Sequence, residues 1–303
     1  MIERDVQKDA DSQYQLGLTY STSFDGDRQS NLKKAIACFR QALEVYTRDT
    51  FPQEWAAIEL GMGNAYRKLL NTERQANLSQ AIDCYEAALE VYTREVFPRQ
   101  WAETQHNLGN AYASLHGAEQ QATLRYAISC FQAALEVYSY ERFPVEWART
   151  QHNLGNAYYN LLGDDEQQNL EKAIACFHAA LRVYNRENFP IDWARTQHNL
   201  GNAYSIVSQE RLQENLLKAI ASYQAALKVF TRDTLPIDWA VTQYNRGNAY
   251  RDLLAGDREA NLRSATLCYQ AALYIFRAQY MESHIRRVLN DLNKVQHVLR
   301  SLG

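Results

Sequence analysis

The sequence predicts an all-α protein made of helical hairpins that repeat every 46 residues. The repeat is visible because every tryptophan and every proline of the chain follows this step: Trp55, Trp101, Trp147, Trp193 and Trp239, with Pro52, Pro98, Pro144, Pro190 and Pro236. Within a repeat, Leu154 and Tyr158 follow Trp147 at seven and eleven positions. That spacing places the three side chains on one stripe of an α-helix.

The first helix of each repeat, helix A, is predicted to begin at the proline. Pro144 fits the first turn of a helix, where the N–H that proline lacks would have no partner. Phe143, just before it, is restricted to an extended conformation. Glu146 then places a negative charge near the positive end of the helix dipole. Helix A therefore runs from the proline through the Leu-Gly pair that follows.

The second helix, helix B, is predicted to open at Asn169, with the asparagine side chain as its N-terminal cap. The other repeats carry an equivalent residue at this position: Asn31, Asn77, Thr123, Asn215 and Asn261. Ala173, Phe177, Ala180 and Tyr184 then form one apolar stripe. The small alanines predict a close approach of neighbouring helices, and the aromatic rings fill the space between them.

These residues resemble the signature of the tetratricopeptide repeat (TPR) family, in which Leu-Gly, Tyr, Ala, an aromatic residue and a second Ala recur along a helical hairpin. The matching residues are Leu108, Gly109, Tyr112, Ala127, Phe131 and Ala134 in the third repeat, and Leu154, Gly155, Tyr158, Ala173, Phe177 and Ala180 in the fourth. The unit departs from the family pattern because it is longer than the usual ~34 residues and has Gln151 at the signature tryptophan position. Such long units look most similar to bacterial TPR arrays, cyanobacterial ones in particular, and to the long repeats of kinesin light chain and LGN-type adaptors.

The resemblance implies one right-handed α-α superhelix, a TPR solenoid of about six hairpins over residues 1–303. The repeats are expected at 1–50, 51–96, 97–142, 143–188, 189–234 and 235–280. The first repeat lacks the Phe-Pro start but keeps Leu16, Gly17 and Phe39. Residues 281–303 are expected to form a terminal capping helix that covers the last exposed face.

Charge and hydropathy limit the classes of partner. The net charge is −3 and the sequence pI about 6.2, so the composition favours neither a nucleic-acid nor a membrane partner, which would need a basic face. The N-terminus alternates charged residues and lacks the apolar region of a signal peptide, and no stretch is apolar enough for a membrane span. We therefore expect a cytoplasmic protein.

Catalytic and metal sites are not predicted, because no nucleophile is matched with a base and an orienting acid. The five cysteines also follow the repeat frame, so their helices lie about 8–10 Å apart and their thiols are expected to stay reduced in the core. His106, His152 and His198 form a row at the same step. Zinc ligands would have to lie only ~3–4 Å apart, so we expect no metal, no cofactor and no enzymatic activity. The histidines are expected to form a polar row facing a groove or, alternatively, a row that is only solvated or packed.

Further polar residues of helix A lie on the face opposite the tryptophan stripe. Two asparagine rows flank the glycine: Asn107, Asn153, Asn199 and Asn245 in the first, and Asn64, Asn110, Asn156, Asn202 and Asn248 in the second. The resemblance implies that these positions line the concave groove and bind the backbone of an extended peptide, since a carboxamide both donates and accepts. Alternatively, they only keep the groove hydrated. Arg149 and Arg195, beside His152 and His198, favour an acidic segment or a C-terminal carboxylate.

Two functions fit this architecture. The first is a non-enzymatic scaffold that binds a peptide segment of a partner protein in the concave groove. The second is a regulatory or sensor module that controls a separate or fused effector, such as a CHAT-type protease or a signalling ATPase. A third function, RNA binding, would need ordered aromatic and basic groove positions, and only Tyr159, Arg149 and Arg195 approach that pattern.

Overall fold

The computed structural model describes residues 2–70, 73–117, 119–161, 163, 165–207 and 211–302. Within these residues the chain forms thirteen α-helices and no strand, which confirms the predicted fold class. The helices are α1 (Ile2–Thr22), α2 (Arg28–Leu43), α3 (Pro52–Lys68), α4 (Arg74–Leu89), α5 (Pro98–Ser114), α6 (Gln120–Leu135), α7 (Pro144–Asn160), α8 (Glu166–Ala180), α9 (Pro190–Ile206), α10 (Leu212–Ala226), α11 (Pro236–Asp252), α12 (Arg258–Ala278) and α13 (Glu282–Leu302). The odd-numbered helices up to α11 are the A helices, and the even-numbered ones are the B helices.

The chain divides into two compact units, Met1–Ala157 and Tyr158–Gly303, with the division inside α7. In the first unit, α1 packs against α2, α3 against α4 and α5 against α6, and each hairpin packs on the next through α2–α3 and α4–α5. In the second unit, the row runs from α8 through α12 by contacts between successive helices. Helix α13 also packs against α12, so it adds one helix to the six A helices and six B helices of the described residues.

The A helices begin where the prolines predict. Helices α3, α5, α7, α9 and α11 each start at a proline and each span 17 residues. Phe51, before Pro52, has a φ of −140° and lies outside the helical region. Its carbonyl accepts the N–H of Trp55 at 2.9 Å and closes the first turn. The Phe-Pro pair therefore fixes both the start and the direction of helix A.

The B helices begin three residues earlier than predicted. Helix α8 starts at Glu166, so Asn169 lies inside its first turn and is not the N-terminal cap. Its Nδ2 instead donates to Leu161 O at 3.4 Å, near the end of the preceding A helix. The same bond joins Asn215 to Val207 at 3.1 Å and Asn261 to Leu253 at 3.2 Å. The asparagine series thus closes the hairpin by satisfying a carbonyl that helix A leaves without an intrahelical partner.

Helix B supplies the core as predicted, because Ala173, Phe177 and Ala180 are fully buried. The Leu-Gly glycine allows the aromatic ring of helix B to rest on the backbone of helix A. A Cβ atom at Gly109 would lie 2.8 Å from Cε1 of Phe131, which is closer than side chains pack. The other repeats show the same pairing, Gly17 with Phe39, Gly63 with Tyr85, Gly201 with Tyr223 and Gly247 with Tyr269. These glycines are packing residues.

The tryptophans are half-buried and pack against the edge of the core. Trp147 packs against Ala102, Ala134 and Tyr138 at the edge of a buried cluster, and its ring centroid lies 5.5 Å from that of Tyr140. The reason is its place in the first turn of α7, where the ring covers the edge of the hairpin core and keeps one side at the surface. Leu154 and Ala157, further along the same helix, are buried.

The cysteines are free thiols, and all but Cys176 are buried. Burial raises the pKa of the Cys130 thiol to about 11 and that of Cys176 to about 12, so both stay protonated at neutral pH and react poorly. Separately, none of the helices in the described ranges combines the length and the apolar character that a bilayer crossing requires.

Candidate functional site

The predicted site residues lie on the A helices α3, α5, α7, α9 and α11. We name the two asparagine rows together the asparagine face. All nine of its asparagines are half-buried, whereas Arg149 and Arg195 are exposed. Half-burial holds one side of a carboxamide against protein and leaves the other side open to solvent.

Hydrogen bonds between successive A helices join the two asparagine rows. In the first unit, Asn153 Nδ2 donates to Asn110 Oδ1 at 2.8 Å. In the second unit, Asn245 Nδ2 donates to Asn202 Oδ1 at 2.9 Å. In both pairs the donor lies 43 residues after the acceptor, so the bond follows the repeat. The sequence did not reveal that members of different rows would bind each other.

Tyrosines of the B helices anchor three of the carboxamides, and these tyrosines were missed by the sequence reasoning. The hydroxyl of Tyr85 donates to Asn64 Oδ1 at 2.9 Å, that of Tyr223 to Asn202 Oδ1 at 2.9 Å and that of Tyr269 to Asn248 Oδ1 at 2.8 Å. The signal was available, because the aromatic position of helix B holds tyrosine in these repeats and phenylalanine in the others. A buried hydroxyl needs a polar partner, and the asparagine supplies it.

Each linked pair keeps one donor and one acceptor for a ligand. Within the described residues, Asn110 Nδ2 and Asn153 Oδ1 make no hydrogen bond, and neither do Asn202 Nδ2 and Asn245 Oδ1. Because the other end of each carboxamide is fixed, these groups cannot rotate freely. Of the other asparagines of the face, Asn107 lies on α5. Asn156 on α7 and Asn199 on α9 already interact with neighbouring groups.

His106 does not occupy the groove-facing place that the sequence suggested for the histidine row. His106 is only 2% exposed, and its Nδ1 lies 2.8 Å from Thr150 Oγ1 of the next A helix. His198 makes the same 2.8 Å contact with Thr242 Oγ1, while His152 is half-buried on α7. His106 and His198 are held in this way because a threonine on the next A helix offers each imidazole a hydrogen-bond partner.

The hydroxyl geometry fixes the protonation of His106. Thr150 Oγ1 donates its only proton to Glu146 O at 2.7 Å, so it must accept the proton of His106 Nδ1. Burial lowers the pKa of His106 from 6.5 to about 3, with a smaller contribution from the positive charge of Arg149. Burial also lowers the pKa of His198 to about 4. Both histidines are therefore neutral at physiological pH.

The asparagine face ends at the terminal helix with a buried carboxylate. Asp291 of α13 lies one repeat after Asn245 and is 7% exposed. Its Oδ2 accepts the Tyr244 hydroxyl at 2.7 Å, and Arg251 lies 3.5 Å from its Oδ1. The sequence reasoning missed Asp291 because the terminal helix no longer carries the repeat signature. Its partners neutralise the charge and close the row.

Comparisons with known proteins identify the fold. No protein-family profile matches the chain, and neither does any curated protein. Among solved structures, a chain of the APC/C hetero-tetramer Cut9–Hcn1 superposes with a TM-score of 0.57 at 18% identity, over 95% of this chain and 45% of that one. The chain folds as a tetratricopeptide repeat array.

Two further TPR-like structures match along nearly the whole of both chains. The C-terminal part of a TPR repeat-containing protein from Cytophaga hutchinsonii gives a TM-score of 0.52 at 13% identity, with 95% of each chain covered. The assembly chaperone of RpL4, Acl4 (residues 1–338), gives 0.53 at 14% identity, with 97% of each chain covered. This chain spans less than half the length of the Cut9–Hcn1 chain that it matches.

The described residues offer no alternative site for metal chemistry. They contain no group of three or more His, Cys, Asp or Glu side chains arranged to hold a metal ion. His178 has a tyrosine as its partner, since its Nε2 lies 2.8 Å from the Tyr204 hydroxyl. The asparagine face, by contrast, carries open donor and acceptor groups.

Proposed function

We propose that this TPR array is a non-enzymatic scaffold that binds an extended segment of a partner protein along the asparagine face. One observation carries the proposal: each unit holds a linked asparagine pair that keeps one donor and one acceptor available, Asn110 with Asn153 and Asn202 with Asn245. Every peptide group of an extended chain offers one N–H and one C=O. A fixed carboxamide pair is complementary to that group whatever side chain stands beside it.

The anchoring hydrogen bonds favour binding because they hold the carboxamides in place before the peptide arrives. A free asparagine would lose rotamer freedom on binding, whereas Asn202 is already held by Tyr223 and Asn245. The fold supports a protein partner as well. The Cut9–Hcn1 structure is a hetero-tetramer and Acl4 is an assembly chaperone of RpL4, so both similar structures belong to proteins that act with other proteins.

A displayed library of random peptides tests the proposal directly. Peptides selected on the whole chain should bind the double variant Asn110→Ala/Asn153→Ala at least about 10-fold more weakly, since two hydrogen bonds are removed at once. Asn290→Ala is the matched control, because Asn290 is exposed on α13 and lies outside the asparagine face. Equal affinity for the double variant and the control would assign binding to another surface.

The type of segment is a finer proposal that rests on Arg149 and Arg195. Both are exposed one helical turn before an asparagine of the first row, so they can add charge-assisted hydrogen bonds to an acidic side chain or a terminal carboxylate. Selected peptides should then weaken when their C-terminus is amidated or their acidic residues become amides, and Arg149→Gln/Arg195→Gln should remove that difference. Peptide affinity that is independent of charge and salt would refute this preference. Recovery of a protease or signalling ATPase from native lysate by the unaltered chain, and not by Asn110→Ala/Asn153→Ala, would favour the regulatory role and assign it to the asparagine face.

A further inference from the structure

The segments that join helix B to the next helix A have opposite charge in the two units. In the first unit they read EVYTRDT at 44–50, EVYTREV at 90–96 and EVYSYER at 136–142, and each has a net charge of −1. In the second unit they read RVYNREN at 182–188 and KVFTRDT at 228–234, and each has a net charge of +1. The sign depends on the first letter, which is glutamate in one unit and arginine or lysine in the other. We name these sets the acidic edge and the basic edge.

On the acidic edge, the first position of one segment pairs with the fifth position of the segment before it. Arg48 forms an ion pair with Glu90, and Arg94 forms one with Glu136. All four side chains are about half exposed, at 48% to 55%. These ion pairs show that the two positions face each other across successive repeats, at the surface.

On the basic edge, the same two positions are both cationic. Arg186 lies three repeats after Arg48, and Lys228 lies three repeats after Glu90. Both are exposed, and neither forms an ion pair with any residue that the structure describes. The adjacent Glu187 and Asp233 balance only part of the charge, so the basic edge keeps a net charge of +2.

Two aromatic rings hold the guanidinium of Arg232 on the basic edge. Its guanidinium carbon lies 4.7 Å from the ring centroid of Trp239 and 5.4 Å from that of Tyr274. Tyr274 occupies the position where the acidic edge has Glu136, so an aromatic ring replaces the expected carboxylate. Held by the rings, the guanidinium can direct its N–H groups to a carboxylate from outside without losing much side-chain freedom.

From these observations we infer that the array self-associates, with the acidic edge of one copy bound to the basic edge of another. The two edges have opposite net charges, −3 and +2, and both repeat at the same 46-residue step. Glutamates at that step can therefore meet cations at that step in register. The contact between copies would consist of ion pairs between basic side chains and glutamates, like those that join successive repeats in the first unit. A second copy is favoured over another acidic protein because the matching edge is already present in the same chain at the same spacing.

Sedimentation velocity of the full chain over a range of concentrations tests this inference. At about 20 mM salt the mean mass should rise with concentration, and at about 500 mM salt the apparent dissociation constant should rise at least about 10-fold, because exposed charges are then screened. The variant Arg182→Glu/Lys228→Glu changes the basic edge from +2 to −2 while restoring the arginine–glutamate pattern of the first unit at Arg186. It should remain monomeric. Arg286→Glu/Arg287→Glu, an equal charge change on exposed residues of α13, should associate like the unaltered chain.

A mixing experiment separates a specific contact from a general effect of charge. Glu44→Lys/Glu95→Lys/Glu141→Lys changes the acidic edge from −3 to +3 and leaves both ion pairs of that edge in place. This variant alone should be monomeric, and a mixture with Arg182→Glu/Lys228→Glu should associate again. A chain that is monomeric at low salt at every concentration, or association that both edge variants retain, would overturn the inference. So would a monomeric chain whose basic edge binds polyglutamate, because the edge would then serve a different acidic partner.

Discussion

Acid should weaken the first unit through His106. This imidazole is buried between the ring of Phe131, 5.7 Å away between centroids, and the hydroxyl of Thr150. Its Nδ1–H is donated to Thr150, so the neutral form fits the site and a second proton would bring an uncompensated charge into it. Arg149 and Arg67 oppose that charge further, and the pKa falls from 6.5 to about 3.

The sign and the size of the effect follow from this shift. The folded pKa of His106 is depressed, so its contribution to stability is present above pH 6.5 and is lost as the pH falls towards about 3. Over that interval His106 binds a proton in the unfolded chain but not in the folded chain. The free energy of unfolding should fall by about 1.4 kcal/mol per pH unit from this residue, with an upper limit of about 5 kcal/mol.

Two measurements check the reasoning. The first is an NMR titration of the His106 ring, which should show no protonation from about pH 7 down to about pH 5 while the protein stays folded. The second compares urea unfolding of the unaltered chain with His106→Leu, because Leu60 occupies the equivalent position in the second repeat. Between these pH values, the free energy of unfolding of the variant should fall less steeply with acid, by the contribution of one proton, about 1.4 kcal/mol per pH unit. A His106 ring that titrates near pH 6.5 in the folded protein would refute its assignment as a buried neutral donor.

Three further predictions concern packing. Gly201→Ala should lower the free energy of unfolding by about 1–2 kcal/mol, because its methyl would meet the Tyr223 ring and this overlap outweighs the ~1 kcal/mol gained in helix propensity; unchanged urea stability would show that the contact is looser. Trp147→Ala should cost about 2 kcal/mol, less than the fully buried Phe131→Ala in the same assay, since Trp147 is only half-buried. Glu59→Gln should raise the urea midpoint at neutral pH, because burial raises the pKa of Glu59 and the ionised form is disfavoured. That gain should shrink in acid, where Glu59 is protonated in both states, and a gain independent of pH would contradict the cause.

The sequence by itself determined the features that depend on residues close together in the chain. Proline fixes its own φ and restricts the residue before it, so the starts of the A helices were predicted at the right residues. The TPR signature also identified Gly109 and Phe131 as residues of a single hairpin, and the packed helices show that the two are in contact. The predicted site residues also lie on the A helices, because each A helix begins at the predicted proline.

Tertiary structure decided the features that depend on the neighbouring repeat. His106 is buried because Thr150 lies 44 positions later in sequence, and Asn153 is partly bound because Asn110 lies 43 positions earlier. Helical periodicity places a side chain on a face of its own helix, but it does not tell which residue of the next helix will meet it. Trp147 illustrates the same limit, since an apolar stripe predicts contact with a core and only the packed helices show where that core ends.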